Sequence, residues 1–179
     1  MVPFTPRLPE PFMSIDLAHA ATAPFEPGLA QGPLLALSGG WSGTTNTWIE
    51  PGAEPEQTTT VATIEPILGG RMARATYTGT AMGKPHAGMF LLTFDEAEGH
   101  FALAWADSFH LGTGLMYAPG APTPEGALSF LGSYAAAGER WGWRTTIRLV
   151  DPTTLLVEAT NISPAGEETR AVETRLSRR

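Results

Sequence analysis

Alternating large and small side chains run through the chain from Gly40 onward, in short stretches separated by turn residues. In residues 101–108, Phe, Leu, Trp and Asp fall on one face of an extended chain, and Ala and Ser fall on the other. Residues 141–149 show the same period of two, with tryptophans opposite glycine and arginine. Because a helical stripe has a period near 3.6, this pattern indicates β-strands.

Ten such stretches, rich in Thr, Val, Ile, Tyr and Trp, predict ten strands. The predicted strands are Trp41–Glu50, Gln57–Pro66, Arg71–Met82, His86–Asp95, His100–Ser108, His110–Tyr117, Ala127–Tyr134, Trp141–Val150, Leu155–Ile162 and Glu168–Ser177. The longest predicted connection is a Pro/Gly loop over residues 118–126.

Consecutive strands joined by tight turns favour a meander, which removes its edges by closing on itself. A short helix is predicted over Pro33–Leu37, because Pro suits the first helical position and two glycines follow. We therefore predict an all-β fold: a lipocalin-like, up-and-down antiparallel β-barrel of about ten strands with a short N-terminal helix. Residues 33–179 would form this domain, and residues 1–32 a partly ordered arm with a short helix over residues 14–21.

Composition and charge limit the fold, the chemistry and the classes of binding partner that the chain admits. The 20 glycines and 16 prolines favour many turns over long helices, and the absence of Cys excludes thiol chemistry. The formal net charge of −7 argues against nucleic acid or an anionic membrane surface. Prolines and acidic residues interrupt the N-terminal apolar residues, so we expect no secretory signal and a cytoplasmic protein. The apolar strand Phe101–Trp105 also admits a homodimer.

Several short motifs carry a family resemblance. They are LSGGWSG (37–43), LGGR (68–71), YTG (77–79), MGKP (82–85) and WADS (105–108), followed by Glu158, Gly166 and the closing 173–178. On these motifs the chain resembles, over residues 34–179, an uncharacterised and mostly bacterial lipocalin-like (calycin) family known only as a domain of unknown function.

The resemblance implies a fold and no reaction. In lipocalin-like barrels, the Trp of a Gly-x-Trp entry, here Trp41, plugs the closed end and an Arg of the last strand covers it. Arg175 and Arg178 are the candidates for that Arg. Barrels of this kind that bind haem use a His of a late strand, whereas no His follows His110 here.

A cavity of such a barrel needs aromatic walls and a few fixed polar groups. The residues predicted to bind a ligand are Trp41, Arg71, Tyr77, Met82, His86, Phe90, Trp105, Asp107, Trp143 and Glu158. No histidines have metal-ligand spacing on one strand, so we predict neither a metal site nor a cofactor.

Two interpretations of Asp107 stay open. Among aromatic residues it would act as an acid or base, and alternatively it caps the turn before His110. The histidines 86, 100 and 110 are predicted near strand ends, with loop or surface roles favoured. Arg144, Arg148, Glu158 and Glu173 form either outer ion pairs, which alternation favours for the arginines, or an inner polar floor.

Three functions follow from these residues. The first is binding of a small, mostly apolar molecule in the barrel. The second is a metal-independent lyase, hydratase or isomerase that uses Asp107 with His86 or His110 and an Arg as the oxyanion partner. The third is haem binding, which the missing late His disfavours.

Overall fold

The computed structural model describes Gly28 and residues 31–179. A one-turn helix, α1 (Gly32–Ala36), precedes ten strands. The strands are β1 (Gly39–Thr47), β2 (Glu56–Ile67), β3 (Met72–Ala81), β4 (Lys84–Asp95), β5 (His100–Asp107), β6 (Met116–Pro122), β7 (Leu128–Ala136), β8 (Glu139–Asp151), β9 (Thr154–Ile162) and β10 (Glu168–Arg178). The predicted arm, including its helix over residues 14–21, lies almost wholly outside the described residues.

Each strand pairs antiparallel with its neighbours in the chain, and β10 pairs with β1 to close the barrel. The predicted fold class is therefore confirmed: an all-β, closed, ten-stranded antiparallel barrel with a short helix at its N-terminal side. Closure leaves no free edge strand among the described residues, so every strand has a ladder on both sides.

The sixth strand differs from its prediction. It was predicted over His110–Tyr117, but β6 begins at Met116 and continues through the predicted Pro/Gly loop to Pro122. The Asp107 carboxylate accepts hydrogen bonds from the backbone N–H groups of Phe109 and His110, and so holds residues 107–110 in a turn instead of a strand. β6 pairs with β7 through only three residues, beginning at Gly120. Pro119 lies outside this short ladder, so its missing N–H interrupts no hydrogen bond to β7.

One end of the barrel is closed by α1 and Trp41, and we call it the Trp41 end. The Trp41 side chain is fully buried, and its indole N–H donates to the Leu37 carbonyl at 2.9 Å. The Arg178 guanidinium lies 4.2 Å from the Trp41 ring centroid and donates to the carbonyls of Ser38, Ala36 and Pro152. Of the two candidate arginines, Arg178 therefore covers the Trp, and it fastens the last strand to the helix.

The up-and-down order places the other strand ends together at the opposite end, which we call the His110 end. It contains the β3–β4 turn, the β5–β6 loop with His110, and the β7–β8 and β9–β10 turns. The His110 side chain is 24% exposed, so this end reaches solvent.

Candidate functional site

The barrel encloses a cavity of about 100 Å³. Its walls are mostly apolar, because the inward position of each strand alternates with an outward one. The residues that line it are Leu37, Thr45, Thr47, Thr60, Ala62, Ile64, Ala75, Tyr77, Ala81, His86, Phe90, Leu92, Asp107, His110, Trp143, Thr145, Ile147, Leu155, Val157, Ala159, Val172, Thr174 and Leu176.

Tyr77, Gly88 and Asp107 lie side by side on β3, β4 and β5. The Tyr77 hydroxyl reaches across the middle strand and donates to Asp107 Oδ2 at 2.5 Å. Gly88 makes this crossing possible: a Cβ at that position would overlap the Tyr77 hydroxyl and lie 2.9 Å from Asp107 Oδ2. The indole N–H of Trp105 donates to the same hydroxyl at 2.8 Å, which fixes the phenol in place.

Asp107 is 3% exposed and accepts hydrogen bonds on both carboxylate oxygens. Oδ1 accepts from the backbone N–H groups of Phe109 and His110, at 2.7 and 2.6 Å, and lies 3.1 Å from His110 Nδ1. Burial alone would raise the pKa of this carboxyl, but the hydrogen bonds from His110 and Tyr77 outweigh it and hold the pKa well below its usual value. Asp107 is therefore an anion in the barrel, and it both caps the turn and lines the cavity.

The phenol of Tyr77 stays neutral. Burial, and then the negative charge of Asp107 and the hydrogen bond to it, raise the pKa of Tyr77 far above its usual value of 10.0. A neutral phenol keeps its proton for Asp107, so the pair is a fixed hydrogen bond at neutral pH.

The contact with Asp107 also fixes the tautomer of His110. Because an ionised carboxylate only accepts, the proton of a neutral His110 lies on Nδ1, and Nε2 carries the lone pair. The imidazole packs against the rings of Trp105 and Trp143, with centroids 5.4 and 5.5 Å away, and these two indoles stack on each other at 5.3 Å. An oriented base thus lies on an aromatic wall of the cavity.

His86 lies near His110 at the same end. Its ring makes an edge contact with Tyr77 at 5.9 Å and a tilted contact with Phe109 at 6.2 Å. His86 Nδ1 is buried and has no hydrogen-bond partner among the described residues. A buried polar atom without a partner is costly to the folded state.

Threonines continue the polar lining on the other side of the barrel. The Thr45 hydroxyl lies 2.7 Å from that of Thr60 and 2.8 Å from that of Thr174, so the three hydroxyls form one network across β10, β1 and β2. The indole N–H of Trp143 donates to Thr145 at 3.1 Å. These groups add polar atoms to the wall without adding charge.

The structure brings together six of the ten residues predicted to bind a ligand. Five of them line the cavity: Tyr77, His86, Phe90, Asp107 and Trp143. Trp105 packs behind this wall, where its indole donates a hydrogen bond to Tyr77 and stacks on Trp143.

The other four predicted residues do not line the cavity. Trp41 is buried in the closed end, Met82 is 61% exposed in the β3–β4 turn, and Arg71 donates to the Leu68 carbonyl beside the β2–β3 turn. Glu158 alternates with the inward Val157 and Ala159, so it lies on the outer face of β9. Its position excludes the inner polar floor at this strand.

The other late-strand charges are also on the outer face. Arg144 pairs with Glu168 on the outside of β8, and Glu173 alternates with the inward Val172 and Thr174. Residues 31–179 contain no group of three or more His, Asp or Glu side chains that could hold a metal ion. In the same residues, no helix has the length and hydropathy needed to cross a membrane.

Two features of the site went unpredicted. Gly88 reads as an ordinary strand glycine, and only the pairing of β3, β4 and β5 shows that its missing side chain admits the Tyr77 phenol. The threonine network joins residues up to 129 positions apart, and the inward alternation of Thr45, Thr60 and Thr174 is its only sequence signal.

Comparison with known proteins gives a family. A family model described as "Protein of unknown function (DUF1579)" matches residues 26–178, nearly the whole chain. A search of the curated proteins gives no match. The chain therefore belongs to the DUF1579 family of proteins of unknown function.

Proposed function

We propose that this barrel binds a small, mostly apolar molecule in its cavity. The observation that carries the proposal is the enclosed space of about 100 Å³, whose apolar walls converge with a few fixed polar groups at one end. Aromatic walls with a small number of oriented polar atoms are typical of small-molecule sites.

The cavity volume limits the size of the ligand. An apolar cavity of roughly 150 Å³ in another protein admits benzene, so the smaller space in this barrel suits a single ring or a short chain at most. We therefore expect ligands of about six to eight non-hydrogen atoms. Side-chain movement at the His110 end would admit somewhat larger molecules, because His110 is partly exposed there.

Thermal unfolding of the full chain with toluene, phenol or hexan-1-ol tests the proposal. A ligand at 100 times its Kd stabilises the folded state by about 2.7 kcal/mol, which raises the Tm measurably. Ala75→Leu fills the cavity, whereas Ala87→Leu adds the same volume on the exposed face of β4 and serves as the control.

The expected result is a saturable rise in Tm for the wild type and Ala87→Leu that is lost in Ala75→Leu. If Ala75→Leu is too unstable to measure, Ala159→Val replaces it as the cavity-filling variant. It is a smaller change on the opposite wall, and it should weaken binding. No shift with any of the three ligands, or an equal shift in all variants, would refute binding in the cavity.

The contact between Asp107 and His110 favours a second candidate, a metal-independent enzyme that transfers protons. An oriented imidazole with its lone pair on Nε2 is suited to remove a proton from a bound carbon acid and return it elsewhere, as in an isomerase. The Arg that this reaction was predicted to use is missing from the described residues that line the cavity. Deuterium incorporation from D₂O into small ketones, followed by NMR, would be expected to depend on His110 and to vanish in His110→Gln. Equal incorporation with and without protein would remove this candidate.

A further inference from the structure

The polarity of the cavity changes along the barrel axis. At the Trp41 end the lining is aliphatic, with Leu37, Ile64 and Leu176. At the His110 end it carries Asp107, His110 and His86. A molecule that fills the cavity therefore meets hydrocarbon at one end and hydrogen-bonding groups at the other.

The charge at the His110 end is negative when His110 is neutral. Asp107 is ionised, and its partners are the Tyr77 hydroxyl, two backbone N–H groups and the His110 imidazole. Among the described residues that line the cavity, none is Lys or Arg. A ligand carboxylate would thus be buried beside an anion without a guanidinium or ammonium to receive it, which is strongly unfavourable.

The free positions on this wall are imidazole nitrogens. Nδ1 of a neutral His110 is occupied by Asp107, so Nε2 is left with its lone pair. His86 Nδ1 has no partner, and a ligand donor would satisfy it when the ring proton lies on Nε2. Both rings line the same cavity and both contact Phe109, so one head group lies within reach of either.

We infer that the ligand is amphipathic, with a head that donates a hydrogen bond, an alcohol or a protonated amine, at the His110 end. Its apolar part points toward Leu37 and Leu176, and the head donates to His110 Nε2 or His86 Nδ1. The inference rests on the proposed function, since it specifies the chemistry of the molecule in the same cavity.

Four ligands of similar size and different heads test this inference on the full chain at pH 7. Hexan-1-ol and hexylammonium donate a hydrogen bond, methyl pentyl ether only accepts, and hexanoate is an anion. Titration calorimetry should show that at least one of the two donors binds about fivefold or more tightly than the ether and hexanoate, as one net hydrogen bond implies. Comparison of the two donors distinguishes an alcohol from an amine.

Three variants locate the head group. His110→Phe and His86→Phe each remove an acceptor and retain a ring, and His100→Phe is the control because His100 precedes the inward Phe101 and lies off the cavity wall. The donor preference should fall in His110→Phe or His86→Phe and persist in His100→Phe. If His110→Phe does not fold, His86→Phe and the ligand series on the wild type still decide the question.

The failures are distinguishable. Tight binding of hexanoate, or equal binding of the ether and the donors, overturns the inferred head group and leaves the proposed function in place. A donor preference that survives both histidine variants overturns the assigned position. No binding of any of the four ligands refutes the proposed function and the inference together.

Discussion

Replacement of Gly88 by alanine should disrupt the Tyr77–Asp107 hydrogen bond more than any other single methyl group added to the barrel wall. The new Cβ would occupy the place of the Tyr77 hydroxyl and lie 2.9 Å from Asp107 Oδ2. Both neighbours are held by hydrogen bonds, so the phenol can make room for the new methyl group only by giving up its contacts with Asp107 and Trp105.

The magnitude follows from two losses. A hydrogen bond to a charged group is worth about 1.5–3 kcal/mol, and overpacking a well-filled site costs about 1–3 kcal/mol. We therefore expect Gly88→Ala to lower the free energy of unfolding by roughly 2.5–6 kcal/mol. Because the displaced phenol also loses the Trp105 donor, the fluorescence of the folded state should change as well.

Urea unfolding followed by tryptophan fluorescence measures the effect, with Gly40→Ala as the matched control. Gly40 is also in a strand, but a Cβ there meets only the Arg179 side chain at 3.5 Å, an ordinary contact. Its replacement should change the stability by less than about 1 kcal/mol. In a Tyr77→Ala background, Gly88→Ala should cost less, because the phenol hydroxyl and ring carbon that collide with the new Cβ are both gone. Equal costs for Gly88→Ala and Gly40→Ala would refute the reasoning.

Three further predictions concern the barrel end, pH and the outer face. Arg178→Ala should destabilise the fold by about 2 kcal/mol through its contacts with Trp41 and three carbonyls, whereas the exposed Arg175→Ala should change stability by less than about 0.5 kcal/mol in the same urea assay. The pKa of Asp107 is lower in the folded than in the unfolded chain, so its stabilisation is present above its usual pKa of 3.8 and lost as the pH falls below that value. The difference in unfolding free energy between wild type and Asp107→Asn should therefore shrink below about pH 4, and a difference that grows there would contradict the assignment. Glu158→Gln should leave ligand affinity unchanged, since Glu158 lies on the outer face; a severalfold weaker Kd would place it in the site.

The strand pattern was predictable because successive side chains of a barrel strand point alternately into the interior and outward. Phe101, Leu103, Trp105 and Asp107 were placed on one face from sequence, and that face points inward. An arginine of the last strand was expected to cover Trp41, with Arg175 and Arg178 as the two candidates. The structure has Arg178 in this place, because Arg178 lies on the same inward face of β10 as the buried Leu176.

The parts of the site that were not predictable depend on contacts between distant residues. His110 was predicted at the start of a strand, but Asp107 binds its backbone and holds it in a turn, where its ring faces the cavity. Glu158 was offered as a ligand-binding residue because its strand face was undecided, and β9 has large apolar residues on both faces near Leu155 and Leu156. A periodicity of two does not decide which face is inside when both are apolar.

The most direct test of the central claim is an NMR titration of the full chain with hexan-1-ol, observed through assigned side-chain methyl groups. We predict saturable shifts at cavity residues on opposite walls, such as Ala75, Leu92, Ile147 and Leu155, and none at the exposed Leu131 and Val150. Shifts confined to the outer face, or no saturation at concentrations well above the millimolar range, would contradict a binding cavity inside this barrel.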